Sequence, residues 1–239
     1  MNTMLIIVDM QNDFVCESGS LYVPGAKKDV QNVASLIRDI DLLDILATKD
    51  YHPESHIGAK GFWKDRNGNI VPAFTEITLE AYQKGDFVVV SPIHNKGAEL
   101  YLLQHGKVMV WPEHCVNDTF GCMTPDILND AINNSTISHW FCLKKGNDAT
   151  REEYSVFANG ANSIMLEYVK TMDRVIVVGE AADYCVANTV RDIIGDIPEI
   201  IVPLDCTSPV NFKNWVKIKK ELREKGVIFF DSFLELYSL

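Results

Sequence analysis

Four polar positions stand at the ends of short apolar runs, and the residues they carry or introduce are those of a nucleophilic unit. Asp9 closes LIIVD, Asp50 closes ILATKD, Lys145 follows WFCLK, and Gly179 follows VIVV and opens GEAADYCV, which leads to Cys185. A carboxylate, an ammonium and a thiol gathered in one cleft can perform acyl transfer. A free thiol, with a pKa of about 8.5, is only slightly ionised at neutral pH, and a nearby ammonium or a helix N-terminus lowers that value. The sequence predicts both for Cys185, with Lys145 as the cation and a helix over 183–194 as the dipole. Unpaired N–H groups at such a helix start also suit a developing oxyanion. Asp9 could take the thiol proton and return it to a leaving amine. Each residue alone has an ordinary reading: a small buried hydrophobe, a turn-capping aspartate, a solvated lysine. The combination is what points to catalysis.

A second group lies in Asp50-Tyr51-His52-Pro53-Glu54-Ser55-His56, with Trp111-Pro112-Glu113-His114-Cys115 far downstream. Residues two apart in extended chain face one side, so Asp50 and His52 can share one cation, with His114 as a third ligand and open positions left for substrate. Zinc, iron or manganese all suit such nitrogen and oxygen donors.

These residues need a scaffold that brings strand ends together. Apolar runs at 4–8, 45–48, 140–143, 175–178, 200–204 and 227–230 read as parallel strands buried on both faces. Helical spacing of apolar residues occupies 26–40, 125–133, 160–170, 183–194 and 212–225. Their alternation predicts an open parallel sheet with helices on both faces, whose ligands collect beyond the carboxyl ends of the strands. Residues 57–110 break the rhythm. They hold a strand candidate at 87–90 and a helix near 97–105, and read as an insertion decorating a single domain over 1–239.

The chain of 239 residues, with 47% hydrophobic and 23% charged residues, has an ordinary globular composition, and its net charge of -11 argues against nucleic acid as a partner. No stretch approaches the roughly 20 apolar residues of a membrane span, and nothing resembles a signal peptide, so a cytoplasmic protein with no membrane partner is expected. Six scattered cysteines without CxxC pairs suit reduced thiols.

In order along the chain, IIVDMQNDF with Gly19-Ser20-Leu21 and Pro24-Gly25-Ala26, TKDYHPESH, WPEHCVNDTFG, KGNDATREEYSVF, VVGEAADYCVANTV and LDCTSP resemble the nicotinamidase branch of the isochorismatase-like cysteine hydrolases. That resemblance implies a three-layer α/β/α fold around a mostly parallel six-stranded sheet. It puts Asp9, Lys145 and Cys185 on the catalytic positions and Asp50, His52 and His114 on the ligands of one divalent metal, zinc first among the candidates. His56 matches a histidine that is a further ligand only in some members. Phe14, Trp111 and Tyr154 fall on pocket walls, and the oxyanion hole on backbone N–H groups of Ala181 and Cys185, with a cis peptide between Glu180 and Ala181. Glu180 departs from the family's aliphatic residue and, if it reaches the pocket, would favour a substrate bearing a donor or positive charge. The implied reaction converts nicotinamide to nicotinate and ammonia through a thioester, and family members often form homo-oligomers. The alternatives are a related cysteine hydrolase acting on another small amide or N-carbamoyl compound, and a metal-binding member without turnover.

Overall fold

The computed structural model describes residues 1–238. Strand β1 (Thr3–Val8) runs through a one-turn helix α1 (Asn12–Val15) into α2 (Ala26–Asp39), which returns the chain to β2 (Asp44–Asp50). The next stretch holds β3 (Trp63–Asp65), β4 (Thr75–Thr78), α3 (Leu79–Gln83), β5 (Phe87–Val89), α4 (Asn95–His105) and β6 (Lys107–Val110). Alternation resumes with α5 (Asp126–Asn133), β7 (His139–Lys145), α6 (Ser163–Val169), β8 (Arg174–Gly179), α7 (Ala187–Ile193), β9 (Glu199–Pro203), α8 (Phe212–Glu224) and β10 (Ile228–Phe230).

All six strands expected from the apolar runs join one sheet in the order β10-β9-β8-β1-β2-β7, and every pairing is parallel. Side chains alternate across a strand, so β1 divides its residues between two cores. Leu5 and Ile7 pack with Val30, Val33 and Ile37 of α2 and Leu128 of α5. Met4, Ile6 and Val8 pack with Val190 of α7 and with Trp215 and Ile218 of α8. Burial on both faces is why the inner strands β1, β2, β8 and β9 read as unbroken apolar runs.

Residues 57–110 build their own small core around Phe62, Trp63, Ile77, Leu102 and Val110. Two antiparallel pairs, β3 with β5 and β4 with β6, lie outside the central sheet. The helix predicted over 160–170 begins only at Ser163, because Asn159 and Asn162 take positive φ of 55° and 51°, a conformation Asn tolerates better than most residues and one that breaks a helix. All six cysteines are free. Among the described residues, no helix is long and apolar enough to cross a membrane.

Candidate active site

Four neighbouring strands, β8, β1, β2 and β7, end at one rim, and neighbouring strands lie only about 4.8 Å apart. Cys185 follows β8, Asp9 follows β1, and Asp50 and Lys145 are register partners at the tips of β2 and β7. The strand order reverses direction around β1, which is where open sheets form a crevice. Gly179 at the tip of β8 has φ +118°, and a Cβ there would stand 2.0 Å from the Val8 carbonyl oxygen. Only glycine lets β8 approach β1 and turn into the Cys185 segment.

The Lys145 Nζ is the hub. It lies 2.9 Å from Asp9 Oδ2 and 3.5 Å from Cys185 Sγ, and it also contacts Asp50 Oδ1. Asp9 is fixed by Thr48, whose hydroxyl donates to Asp9 Oδ1 at 2.7 Å, and Asp50 by Gln11, whose side-chain oxygen accepts from Asp50 N at 2.8 Å. Burial pushes the Lys145 ammonium toward losing its proton, but Asp50, Asp9 and Cys185 around it win and hold it charged. Burial also pushes Asp50 up, yet Lys145, His52 and His114 together bring its carboxyl down to about 2. Asp9 moves the other way, because burial and the Asp50 charge outweigh Lys145.

The thiol differs from the sequence expectation. Burial raises the Cys185 pKa well above its usual value, and Asp9 and Asp50 add to that against Lys145. One ammonium shared between two carboxylates leaves no surplus positive charge for a thiolate, so the resting sulfur carries its proton. The helix start is also altered: Cys185 sits in a π-helical turn, Ala182–Val186, ahead of α7. The Glu180–Ala181 peptide is cis, as the resemblance implied, and the Ala181 N–H finds no acceptor among the described residues.

The cavity above Cys185 is walled by Phe14, Trp111, Tyr154 and Tyr184, with Ala181, Asp50 and His114 on its floor and side. Phe14, Trp111 and Tyr154 therefore line it together. Trp111 Nε1 donates to the Tyr154 hydroxyl at 3.4 Å, and its ring meets Tyr184 edge-on at 4.9 Å. Glu180 lies elsewhere. It is fully buried, its Oε2 accepts from Ser208 N at 3.3 Å, and it faces Asp29 rather than the cavity. The expectation that it reaches the pocket is corrected: the backbone turn after Gly179 directs this side chain behind the loop toward α2. Glu152 was not singled out by sequence, yet it lines the cavity with an unpartnered buried oxygen, and burial raises its carboxyl to about 7. Its position within KGNDATREEYSVF carried no signal of that burial.

Ligand atoms of Asp50, His52 and His114 lie within 4.8 Å of one another. His52 Nδ1 donates to Gly146 O at 2.9 Å and His114 Nδ1 to Pro112 O at 2.7 Å, so each ring turns its Nε2 inward. Those nitrogens stand 3.8 and 3.9 Å from the Asp50 oxygens. His52 Nε2 is buried without a hydrogen-bond partner among the described residues, and burial lowers this imidazole to about 3, which keeps it neutral and able to ligate. A carboxylate and two such imidazoles fit a divalent ion. Gly146 has φ +69°, and a Cβ there would stand 2.4 Å from the His52 ring. His56 stacks on His52 at 4.1 Å, but its own nitrogens are taken by Arg151 O at 2.8 Å and Gly58 N at 3.3 Å, outside the Asp50 trio.

No protein-family model matches the chain. Over 232 residues it is 30% identical to a nicotinamidase of Saccharomyces cerevisiae, covering 93% of this chain and 96% of that protein. The chain belongs to the nicotinamidase family. The structure of the yeast nicotinamidase Pnc1p bound to the inhibitor nicotinaldehyde superposes with a TM-score of 0.73 at 28% identity, over 96% of this chain and 100% of that one. A pyrazinamidase of Pyrococcus horikoshii in complex with zinc, 22% identical, shares the fold with a TM-score of 0.62 over 96% of this chain and 98% of that one. The nicotinamidase-family fold accounts for the parallel sheet and its flanking helices.

Proposed function

We propose that this chain hydrolyses nicotinamide to nicotinate and ammonia, with Cys185 as nucleophile and Asp9 and Lys145 completing the catalytic set. The observation that carries this reading is the Lys145 ammonium, 3.5 Å from the Cys185 sulfur and 2.9 Å from Asp9, beneath an aromatic-walled cavity. The name of the yeast relative supplies the substrate.

The reaction follows from the groups present. Cys185, a thiol at rest in hydrogen-bonding contact with Asp9, passes its proton to Asp9 as its sulfur attacks the carboxamide carbon. Lys145 balances the charge that would otherwise build up between sulfur and carboxylate. The carbonyl oxygen becomes an oxyanion beside the N–H groups of Ala181 and Cys185. The carbon–nitrogen bond breaks as Asp9 gives its proton to the departing nitrogen, which leaves as ammonia. Water then yields a proton to Asp9 and attacks the thioester. The sulfur departs and regains that proton, and the acid is released, losing its own proton to solvent to become nicotinate.

Asp50, His52 and His114 would hold a divalent ion, which we assign as zinc on the strength of the zinc complex of the Pyrococcus neighbour and the donor set itself. When bound, the ion supplies an electrophilic contact for the pyridine nitrogen of the substrate. Phe14, Trp111 and Tyr154 hold the ring so that its carboxamide meets the sulfur. Residues 57–110 form an insertion on this one domain and contribute Tyr101 and Val108 beside the cavity's outer groove.

Ammonia release from nicotinamide, pyrazinamide and a small aliphatic amide, before and after chelator treatment, tests the reading. Release from the two aromatic amides that falls on metal removal is expected. Release from none of them refutes it, and release from the aliphatic amide alone would replace the substrate.

A further inference from the structure

The loop that carries Ala181 and Cys185 is laced to the segment after β9. Thr207 Oγ1 donates to Gly179 O at 2.6 Å, Ser208 N to Glu180 Oε2 at 3.3 Å, and Ala182 N to Ser208 O at 2.9 Å. Asp183 accepts from Val210 N at 2.8 Å and Asn211 N at 3.0 Å. Glu180 extends this lacing to a third element, because its side chain lies against the Asp29 carboxyl of α2.

Both carboxyls are buried, at 0% and 5% exposure. Glu180 Oε1 and Asp29 Oδ2 are each left without a partner among the described residues. Ionised carboxyls are acceptors only, so two of them in contact repel, whereas one proton between them satisfies both unpaired oxygens. The surroundings favour keeping that proton. Asp183 faces the pair from the π-helical turn, Asp205 and Cys206 from the segment after β9, and the cation set against them, Lys28 of α2, is exposed. Asp29 lies in the first turn of the 14-residue α2, where the helix dipole favours a carboxylate, which leaves the proton on Glu180.

We propose that Glu180 is a positioning residue: as a neutral acid its Oε1–H donates to Asp29 Oδ2 while its Oε2 accepts from Ser208 N–H, clamping the Gly179–Ala182 loop so that the Ala181 N–H is held for the oxyanion. The proposal rests on the assignment of Ala181 and Cys185 as oxyanion donors. The clamp acts behind the loop, so losing it disturbs the chemical step more than substrate binding, three of whose four aromatic walls, Phe14, Trp111 and Tyr154, belong to other segments.

The test measures kcat and KM on nicotinamide, and Tm, for the wild type, Glu180→Gln and Glu180→Leu from about pH 6 to about pH 9. Leucine cannot bridge Asp29 to Ser208, so kcat falls about 10- to 100-fold while KM stays within about twofold. Glutamine needs no titratable proton, since its amide N–H donates to Asp29 and its carbonyl accepts from Ser208, and it recovers most of the lost kcat. A raised carboxyl keeps a proton in the folded protein that the unfolded chain has lost above about pH 4, so wild-type stability declines with rising pH through this group, and the Tm of Glu180→Gln gains on the wild type as pH rises. A wild-type kcat in Glu180→Leu, or a Tm difference between Glu180→Gln and wild type that is flat with pH, overturns the proposal. Failure of the nicotinamidase reading is visible separately, as absence of wild-type turnover.

Discussion

Replacing Lys145 by alanine removes the charge that lets Asp9 and Asp50 coexist. The two carboxylates offer oxygens within 4.8 Å of one another, and both are buried. At an effective dielectric of about 20 two like charges at that distance repel by about 3.5 kcal/mol, in line with the roughly 3–5 kcal/mol lost when one partner of a buried ion pair is deleted. For a chain of this length that corresponds to a fall in Tm of roughly 7–14 °C. The loss depends on pH in a definite direction. In the wild type the raised Lys145 pKa keeps its contribution whole below about pH 10, so it is flat across the neutral range. In the variant the unpaired carboxyls have raised folded-state pKa values, and stability falls as pH rises above about 4, where the unfolded chain ionises freely. Thermal melts of chelator-treated wild type and Lys145→Ala should therefore show a gap that widens from about pH 5 to about pH 8. A gap that stays constant with pH, or one under about 2 °C throughout, would refute the charge argument.

Gly179→Ala places a Cβ 2.0 Å from the Val8 carbonyl oxygen at φ +118°, and a loss of more than about 3 kcal/mol in chemical denaturation is expected; a change under about 1 kcal/mol contradicts the close approach of β8 to β1. Trp111→Ala opens the aromatic wall, and KM for nicotinamide should rise about tenfold or more with kcat less affected; unchanged KM would remove Trp111 from the pocket. His52→Ala takes away the ring whose Nε2 is buried without a partner, so bound metal per chain should drop well below the wild-type value by elemental analysis, and full retention would exclude His52 as a ligand.

The inner strands β1, β2, β8 and β9 could be read from sequence because they are covered on both faces, and the edge strands β7 and β10, though partly exposed, still carry short apolar runs. Within the insertion the strand candidate at 87–90 and the helix near 97–105 appear as β5 and α4, whereas β3 and β4, three and four residues long, are too short to show a period. Asp9, Lys145 and Cys185 could be picked out by residue type at strand ends, and they converge. What escaped depends on distances that sequence does not carry. Burial, with two carboxylates set against one ammonium, pushes the Cys185 thiol up, an environment visible only once β1, β2 and β7 lie side by side. Thr48, Gln11 and Glu152 act through contacts with residues remote in the chain or through burial, and Glu180 turned toward α2 because of a backbone turn that its residue type does not encode.

Mass analysis of the protein quenched during nicotinamide turnover bears most directly on the covalent role of the sulfur. A nicotinoyl group on the peptide containing Cys185, absent from Cys185→Ala, which also releases no ammonia while keeping its metal, is the predicted result. Ammonia release by Cys185→Ala above about a hundredth of the wild-type rate, or acylation of another residue in its place, would contradict it.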